Sequence, residues 1–577
     1  MTASESSRGP SASSQVADRP VRPYATAALV LIGLVAAGWS LDGDFSWLAT
    51  PAGRADAWSR LTTFLAAFKA PDFAPDTLRL GLRLTGTTLS VAAWGTALGV
   101  VLAYVLALGA SEAVMAPNPT ARRWGNTPRR LCVEACRLGL DAMRGIPDFA
   151  WALLILTVPG PGPITGVLAL AISVAGTLGR VYSELWDSID PQRYAAVTAT
   201  GGGRLATFLF GIQPLAARSM LSYTLMRGEC TVRNASVIGV VGGGGLGGQL
   251  FEEFNYGHYE RVATYLLFLV ALTAGVDLAT NALRRRLLAL PDDGDLRVSL
   301  RRRLEVGFVL LAGLAAAAVG LADAGRVAWG EVHRVEWSFL RDTLAGLVHL
   351  DLSGSTLTDA FGGVGLPLAL AAIATSGSAL GAAALSGLGS VGLQLQLPFD
   401  GAAINDRLVR TRRWALVLVA RGIALVLRAL PDVAWLLLAA SCFRLGVVAG
   451  VAAVSLHSMG ILARVFVEIV DDIPPPRFEP FSSGSRTTAF AYVAMPTALR
   501  NWRTYAVIQF EANVRAGLVL GIVGIGGLGD AFHTSLSYWN LPRAGTFLLA
   551  MVVLTTVIDR ISRRIRAGHL AHPGRSY

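Results

Sequence analysis

Two stretches of this sequence are too long and too free of charge to fold anywhere but inside a membrane. Leu84–Ala110 contains no Asp, Glu, Lys or Arg, and neither does Phe149–Gly179. A helix rises about 1.5 Å per residue, so roughly 20 apolar residues cross the ~30 Å hydrocarbon core. Within lipid every backbone polar group must be bonded inside the segment, which makes such runs helical. Leu84–Ala110 is one span. Phe149–Gly179 exceeds one, and Pro159-Gly160-Pro161-Gly162-Pro163 divides it into two spans joined by a tight turn.

The same reading places spans at Ala25–Leu41, Pro214–Gly239, Val262–Ala282, Glu305–Leu321, Gly362–Leu388, Trp414–Phe443, Leu445–Val470, Pro496–Val523 and Gly545–Ile561. The chain is therefore expected to be an all-α polytopic membrane protein of about twelve transmembrane helices. Ala25–Leu41 follows a Ser/Pro/Arg tail and reads as an uncleaved first helix, since the tail is long and many spans follow. Only 15% of residues are charged, against about 25% in soluble domains. Disorder is excluded for most of the chain by its apolar composition. A disulfide scaffold is excluded by four cysteines in 577 residues.

Arginine placement sets the orientation. With the N-terminus inside, Arg122, Arg123, Arg129, Arg130, Arg284–Arg286, Arg301–Arg303, Arg407, Arg410, Arg412, Arg413 and Arg560 fall on one side. The opposite loops Gly242–Gly257 and Gly524–Tyr538 carry no cation. The positive-inside rule then puts both termini in the cytoplasm. The net charge of +11 is an orientation signal, which removes the reason to expect nucleic-acid binding. The only lysine, Lys69, lies between Phe68 and Ala70, so there is no Gly-Lys-Ser/Thr phosphate loop. If ATP drives this protein, another subunit binds it.

The chain repeats itself. Arg144-Gly-Ile-Pro147-Asp148-Phe-Ala-Trp151 matches Arg428-Ala-Leu-Pro431-Asp432-Val-Ala-Trp435, 284 positions later. Arg180 and Glu184 match Arg464 and Glu468 at the same offset. At offset 282, Pro214, Glu229, Arg233 and Gly239–Gly247 match Pro496, Glu511, Arg515 and Gly521–Gly529. A fixed period of this kind marks duplication. The expected plan is a cytoplasmic tail (1–24), a first unit (25–285, core about 80–285), a linker (286–304), a second unit (305–566, core about 365–565) and a tail (567–577). An even number of spans per unit sets both halves the same way up, as a parallel repeat with a pathway at their interface.

Arg144–Leu154, Gly166–Glu184, Ala195–Pro214 and Tyr223–Gly248, with their counterparts in the second half, carry a resemblance. The chain resembles the membrane subunit of binding-protein-dependent type I ABC importers, and among them the phosphonate-type permeases, here fused in tandem. The resemblance implies import of phosphonate or a related oxyanion such as phosphate or phosphite across a bacterial inner membrane. It implies two cytoplasmic ATPase subunits carrying ATP and Mg²⁺, an extracytoplasmic binding protein, one fused chain per transporter, and neither catalysis nor a cofactor on this chain. It also implies that Ala195, Ala196, Gly201 and Pro214, and Glu479, Gly484 and Pro496, belong to loops that dock into the ATPases. The second loop departs from the pattern through Pro474-Pro475-Pro476 and Pro480, so unequal docking is expected. An amino-acid importer, and in another class a secondary transporter, a channel or a structural scaffold, are the competing readings.

Charges inside spans are functional candidates. Glu229/Arg233 and Glu511/Arg515 are spaced i,i+4 on one helix face, as are Arg180/Glu184 and Arg464/Glu468. Each pair either neutralises itself or presents guanidinium to a passing oxyanion, whose oxygens suit its planar fork. Gly242, Gly243, Gly244, Gly245 and Gly247, with Gly524, Gly526, Gly527 and Gly529, either form an anion nest or permit turns and close helix approach. Asp148 and Asp432 are expected to cap the helices they begin. Cys132 and Cys136 have no histidine partner, so no metal site is expected, and His457 reads as buried and neutral.

Overall fold

The computed structural model describes residues 47, 49–115, 127–288, 337–396, 407–443, 445–481 and 485–570. The expected spans Ala25–Leu41 and Glu305–Leu321 lie outside them. All regular structure among the described residues is helical. The first half contains α1 (Pro51–Ala67), α2 (Pro75–Ala110), α3 (Thr127–Gly145), α4 (Asp148–Leu156), α5 (Pro163–Asp187), α6 (Ala195–Ala199), α7 (Gln213–Ile238), α8 (Leu246–Asn255) and α9 (Tyr259–Leu288). The second half contains α10 (Trp337–Val348), α11 (Gly354–Gly389), α12 (Arg407–Ala429), α13 (Asp432–Phe443), α14 (Val447–Asp471), α15 (Met495–Leu520), α16 (Leu528–Ser537) and α17 (Leu541–Leu570). Apart from α6, each element of the first half has its counterpart in the second.

Seven of the described helices are long and apolar enough to cross a membrane, or eight if a bent pair counts as one. Proline sets several starts: Pro75, Pro163, Pro214 and Pro496 occupy first-turn positions, where a missing N–H costs nothing.

Proline reshapes two of the expected spans. Within Trp414–Phe443 the helices α12 and α13 are bent by 98° at Leu430-Pro431, which makes it a broken span or a re-entrant segment and not one straight helix. Phe149–Leu156 is corrected: it is not a span, because the nine residues of α4 reach only about 13 Å. They follow α3, from which Ile146-Pro147 separates them. The cause in both halves is proline, which removes a helical donor and turns the preceding residue away from the α region. Helix α3 went unread because its polar face carries Arg130, Glu134, Arg137, Asp141 and Arg144.

The short helices interlock the halves. Phe149 and Leu153 of α4 pack in a core with Leu518, Phe532, Phe547 and Met551 of the second half. Leu430, Ala434 and Leu437 pack reciprocally with Leu246, Leu250 and Leu266 of the first.

Candidate translocation seam and coupling loops

Ion pairs cross the seam between the halves at pseudo-twofold-related positions. Arg144, at the end of α3, reaches Asp559 of α17 at 2.7 Å. Arg428, at the end of α12, contacts Asp277 of α9. Both arginines end helices whose C-terminal dipole favours a cation. Both aspartates are buried, so each needs its partner. Sequence reasoning assigned neither aspartate a partner. The signal was available, since Asp277 and Asp559 stand 282 positions apart, like Glu229 and Glu511.

The expected intrahelical pairs form. Arg233 lies 3.5 Å from Glu229, and Arg515 contacts Glu511. Glu229 is also drawn across the seam, 3.7 Å from Arg428. Arg180 meets Glu184 at 2.8 Å and Asp141 of its own half at 4.0 Å. Arg464 meets Glu468 at 3.2 Å but turns to Asp277 of the other half at 3.7 Å. The reason is local: where the first half has Asp141, the second has Leu425.

Below each proline break the halves differ. Asp148 does not cap α4, because the cap residue is Pro147 and no side chain bonds there. Its carboxylate instead accepts from Ser173 and Asn234, with Arg227 at 3.9 Å. At the matching positions the second half has Asp432, His457, Ala516 and Gln509. His457 is buried, with Nδ1 2.8 Å from the Leu430 carbonyl and Nε2 3.9 Å from Asp432. Gln509 joins a neutral buried chain with Ser458, Asn513 and Thr375, with distances of 2.7–3.0 Å. Arg227 and Arg233 each keep a buried Nε with no hydrogen-bond partner.

The glycine segments are turns that allow close approach. Gly242, Gly244, Gly245, Gly524, Gly526 and Gly527 all have positive φ. A Cβ at Gly247 would lie 1.7 Å from the Ser236 carbonyl oxygen, and one at Gly529 2.1 Å from that of Leu518. Gly243 is packed against Ile238 in the same turn. The Leu246 N–H that ends the run donates to Thr88 Oγ1 at 2.9 Å, so it is not offered to an anion.

At the opposite end of the bundle the two loops differ. In the first, Tyr194 is buried while Ala195 and Ala196 of α6 are exposed, and Gly201 turns the chain at φ +77°. Pro214 then opens α7, and Trp186 donates to Gln213 at 3.0 Å. In the second, Pro475–Phe481 is a 3₁₀ turn with Phe478 buried. Proline lacks the donor an α-helix there would need. Glu479 lies in this turn, Gly484 lies outside the described residues, and Pro496 opens α15.

A clamp that sequence reasoning missed anchors each loop. Asp187 accepts from Ser111 Oγ (2.7 Å), the Ala113 N–H (2.9 Å) and Arg137 (3.0 Å). Asp471 accepts from Ser390 Oγ (2.6 Å), the Gly392 N–H (3.0 Å) and Arg421 (2.8 Å). At the far end, Asp72 and Asp351 hold matching turns through Thr77 and Thr356. Hydrogen bonds hold both carboxyls below the ordinary carboxylate range: chiefly the Ala74 N–H for Asp72 and the Thr356 hydroxyl for Asp351. Among the described residues no cluster of His, Cys, Asp or Glu could hold a metal ion, and the cysteines are free.

Two matching helical halves, interlocked by broken helices and crossed by buried ion pairs, define a polytopic membrane transport component. The family described as the inner membrane component of binding-protein-dependent transport systems matches residues 124–289. A phosphate-import permease protein of Mycolicibacterium smegmatis is 27% identical over 536 residues, covering 92% of either chain. A phosphite transport system permease protein of Stutzerimonas stutzeri is 28% identical over 225 residues, 39% of this chain and 77% of its own. An Escherichia coli permease protein named for a cryptic phosphonate transport system is 30% identical over 122 residues, 21% of this chain and all of its own. No solved structure matches. The chain belongs to the binding-protein-dependent inner-membrane transport family, as an ABC importer permease with two units in tandem.

Proposed function

We propose that this chain forms the whole translocation pathway of an importer for a phosphorus oxyanion: phosphonate, phosphate or phosphite. The observation that carries the reading is the full-length match to a phosphate-import permease, spanning both halves. Phosphite and phosphonate permeases match shorter stretches. The seam suits such a cargo, because Arg227 and Arg233 each hold a donor in reserve beside it. Arg515, the counterpart of Arg233, is read in the same role.

The mechanism follows from the placement of charges and loops. Both termini and both coupling loops face the cytoplasm. Two ATPase subunits, which bind ATP and Mg²⁺, dock on α6 and on the Pro475–Phe481 turn. A binding protein delivers the anion to the end bearing Gly242–Gly247 and Gly524–Gly529. Closure of the ATPases pushes each loop, and the Asp187 and Asp471 clamps pass the push to the helix ends. The chain itself performs no catalysis. The loops couple unequally, since after its buried aromatic residue the first continues as the α-helix Ala195–Ala199, while the second stays in the 3₁₀ turn Pro475–Phe481.

The test is reconstitution with the ATPase and binding protein in proteoliposomes. Phosphate, phosphite or methylphosphonate is expected to stimulate ATP hydrolysis and to be taken up. Uptake driven by an ion gradient without nucleotide would sink the reading. Substituting Gly201 and Gly484 separately is expected to impair uptake unequally, and equal losses would refute unequal coupling.

A further inference from the structure

The two seam ion pairs occupy matching positions but not matching surroundings. On one side Arg144 binds Asp559 across the seam, and each has a substitute partner at hand. Arg144 lies 3.8 Å from Asp141 of its own half, and Asp559 lies 2.6 Å from Arg563 of its own helix. If the halves part here, both charges stay neutralised. A small polar void of about 10 Å³, room for about one water, lies at this point, lined by Asp141, Arg144, Arg515, Asp559 and Arg563.

On the other side the substitutes are missing. Leu425 stands where the first half has Asp141, and Asn281 stands where α17 has Arg563. Among the described residues, the ion partners of Arg428 are Asp277 and Glu229, both across the seam. Those of Asp277 are Arg428 and Arg464, both also across the seam. Asn281 donates to Asp277 at 2.9 Å but brings no charge. Parting the halves here would strand buried ions, which is strongly unfavourable.

We propose that the seam is a one-sided gate: the halves pivot about the Arg428–Asp277–Glu229 cluster and separate at Arg144–Asp559. The cluster acts as hinge and the simpler pair as releasable latch. This rests on the chain being a permease, but not on the identity of its cargo.

The geometry supplies the test. An ideal Cβ at Gly145 lies 3.8 Å from the Cα of Val552, across the latch. The matching positions across the hinge are Ala429 and Val270. Cysteine pairs are placed at either site in a chain whose native cysteines are replaced, assembled with its ATPase and binding protein. Locking the latch is expected to lower uptake at least about tenfold, reversed by reductant, because the conformational step limits transport. Locking the hinge is expected to leave at least about half the uptake. Loss on locking the hinge, or none on locking the latch, overturns the proposal. Where no phosphorus oxyanion is transported, the cargo reading fails and crosslinking alone still decides. ATP is then expected to slow disulfide formation at the latch and not at the hinge, and equal slowing overturns the proposal. A second variant, Asp141→Leu with Arg563→Asn, removes the substitute partners. It is expected to cut uptake about fivefold while still copurifying with the ATPase, and unchanged uptake in the assembled variant also overturns the proposal.

Discussion

The base of each half and its middle have diverged to different degrees. At the base, Asp187 and Asp471 collect the same three kinds of donor: a serine hydroxyl, a backbone N–H and an arginine. In the middle, Asp148 gathers Ser173, Asn234 and Arg227, while Asp432 faces His457 and a neutral Gln509 network. What two copies of one unit retain in common is what the unit needs in order to stand. Where they differ, each copy has been shaped by its own task in the assembled pathway.

The largest expected effect lies at the base. Asp187→Ala and Asp471→Ala each leave a buried serine hydroxyl and a backbone N–H without their acceptor and take one of several acceptors from Arg137 or Arg421, a loss of about 3 kcal/mol. Both variants are expected to lose detergent-extracted folded protein to a similar degree by size-exclusion chromatography. Markedly unequal losses would break the equivalence of the two clamps. The middle is expected to respond unequally. Gln509→Arg puts a charge into a neutral buried network and is expected to destabilise by roughly 3 kcal/mol. The reverse exchange, Arg227→Gln, leaves Asp148 its Ser173 and Asn234 donors and is expected to cost about 1 kcal/mol. Thermal unfolding of the two variants reads the difference, and equal shifts would refute it.

Next come the glycines. Alanine at Gly247 or Gly529 drives a methyl into a carbonyl oxygen, and overpacking of this kind costs about 1–3 kcal/mol. Both are expected to lower the unfolding temperature, with Gly247→Ala the worse because its contact is closer. The smallest effect is expected at the exposed turns. The depressed carboxyls of Asp72 and Asp351 favour the folded chain above the ordinary carboxylate pKa. That contribution is lost as pH falls through their lowered folded values. Unfolding temperatures from pH 6 to pH 3 are therefore expected to fall less steeply in Asp72→Asn and Asp351→Asn.

Long apolar periodicity made α2, α5, α11, α14 and α17 legible from sequence, because hydrocarbon admits little else over such lengths. Helix α3 was not, since Arg130, Glu134, Arg137, Asp141 and Arg144 along one face interrupt any apolar run. The bend between α12 and α13 was hidden by an apolar run that continues on both sides of Pro431. The Glu–Arg pairs at i,i+4 were visible because helix geometry places them together locally. Arg144–Asp559 and Arg428–Asp277 were not, because partners more than a hundred positions apart leave no local trace. The repeat held the clue, since Arg144 and Arg428 match at one offset and Asp277 and Asp559 at the other.

Carrying both units in one chain frees them from identity. In a dimer of identical subunits any substitution appears twice, so an aspartate at one gate becomes an aspartate at both. Here Asp141 and Leu425 are written independently, as are Arg563 and Asn281. A covalent tandem can therefore give one edge of its pathway to motion and the other to stillness, a division that two copies of a single shorter gene product could not encode.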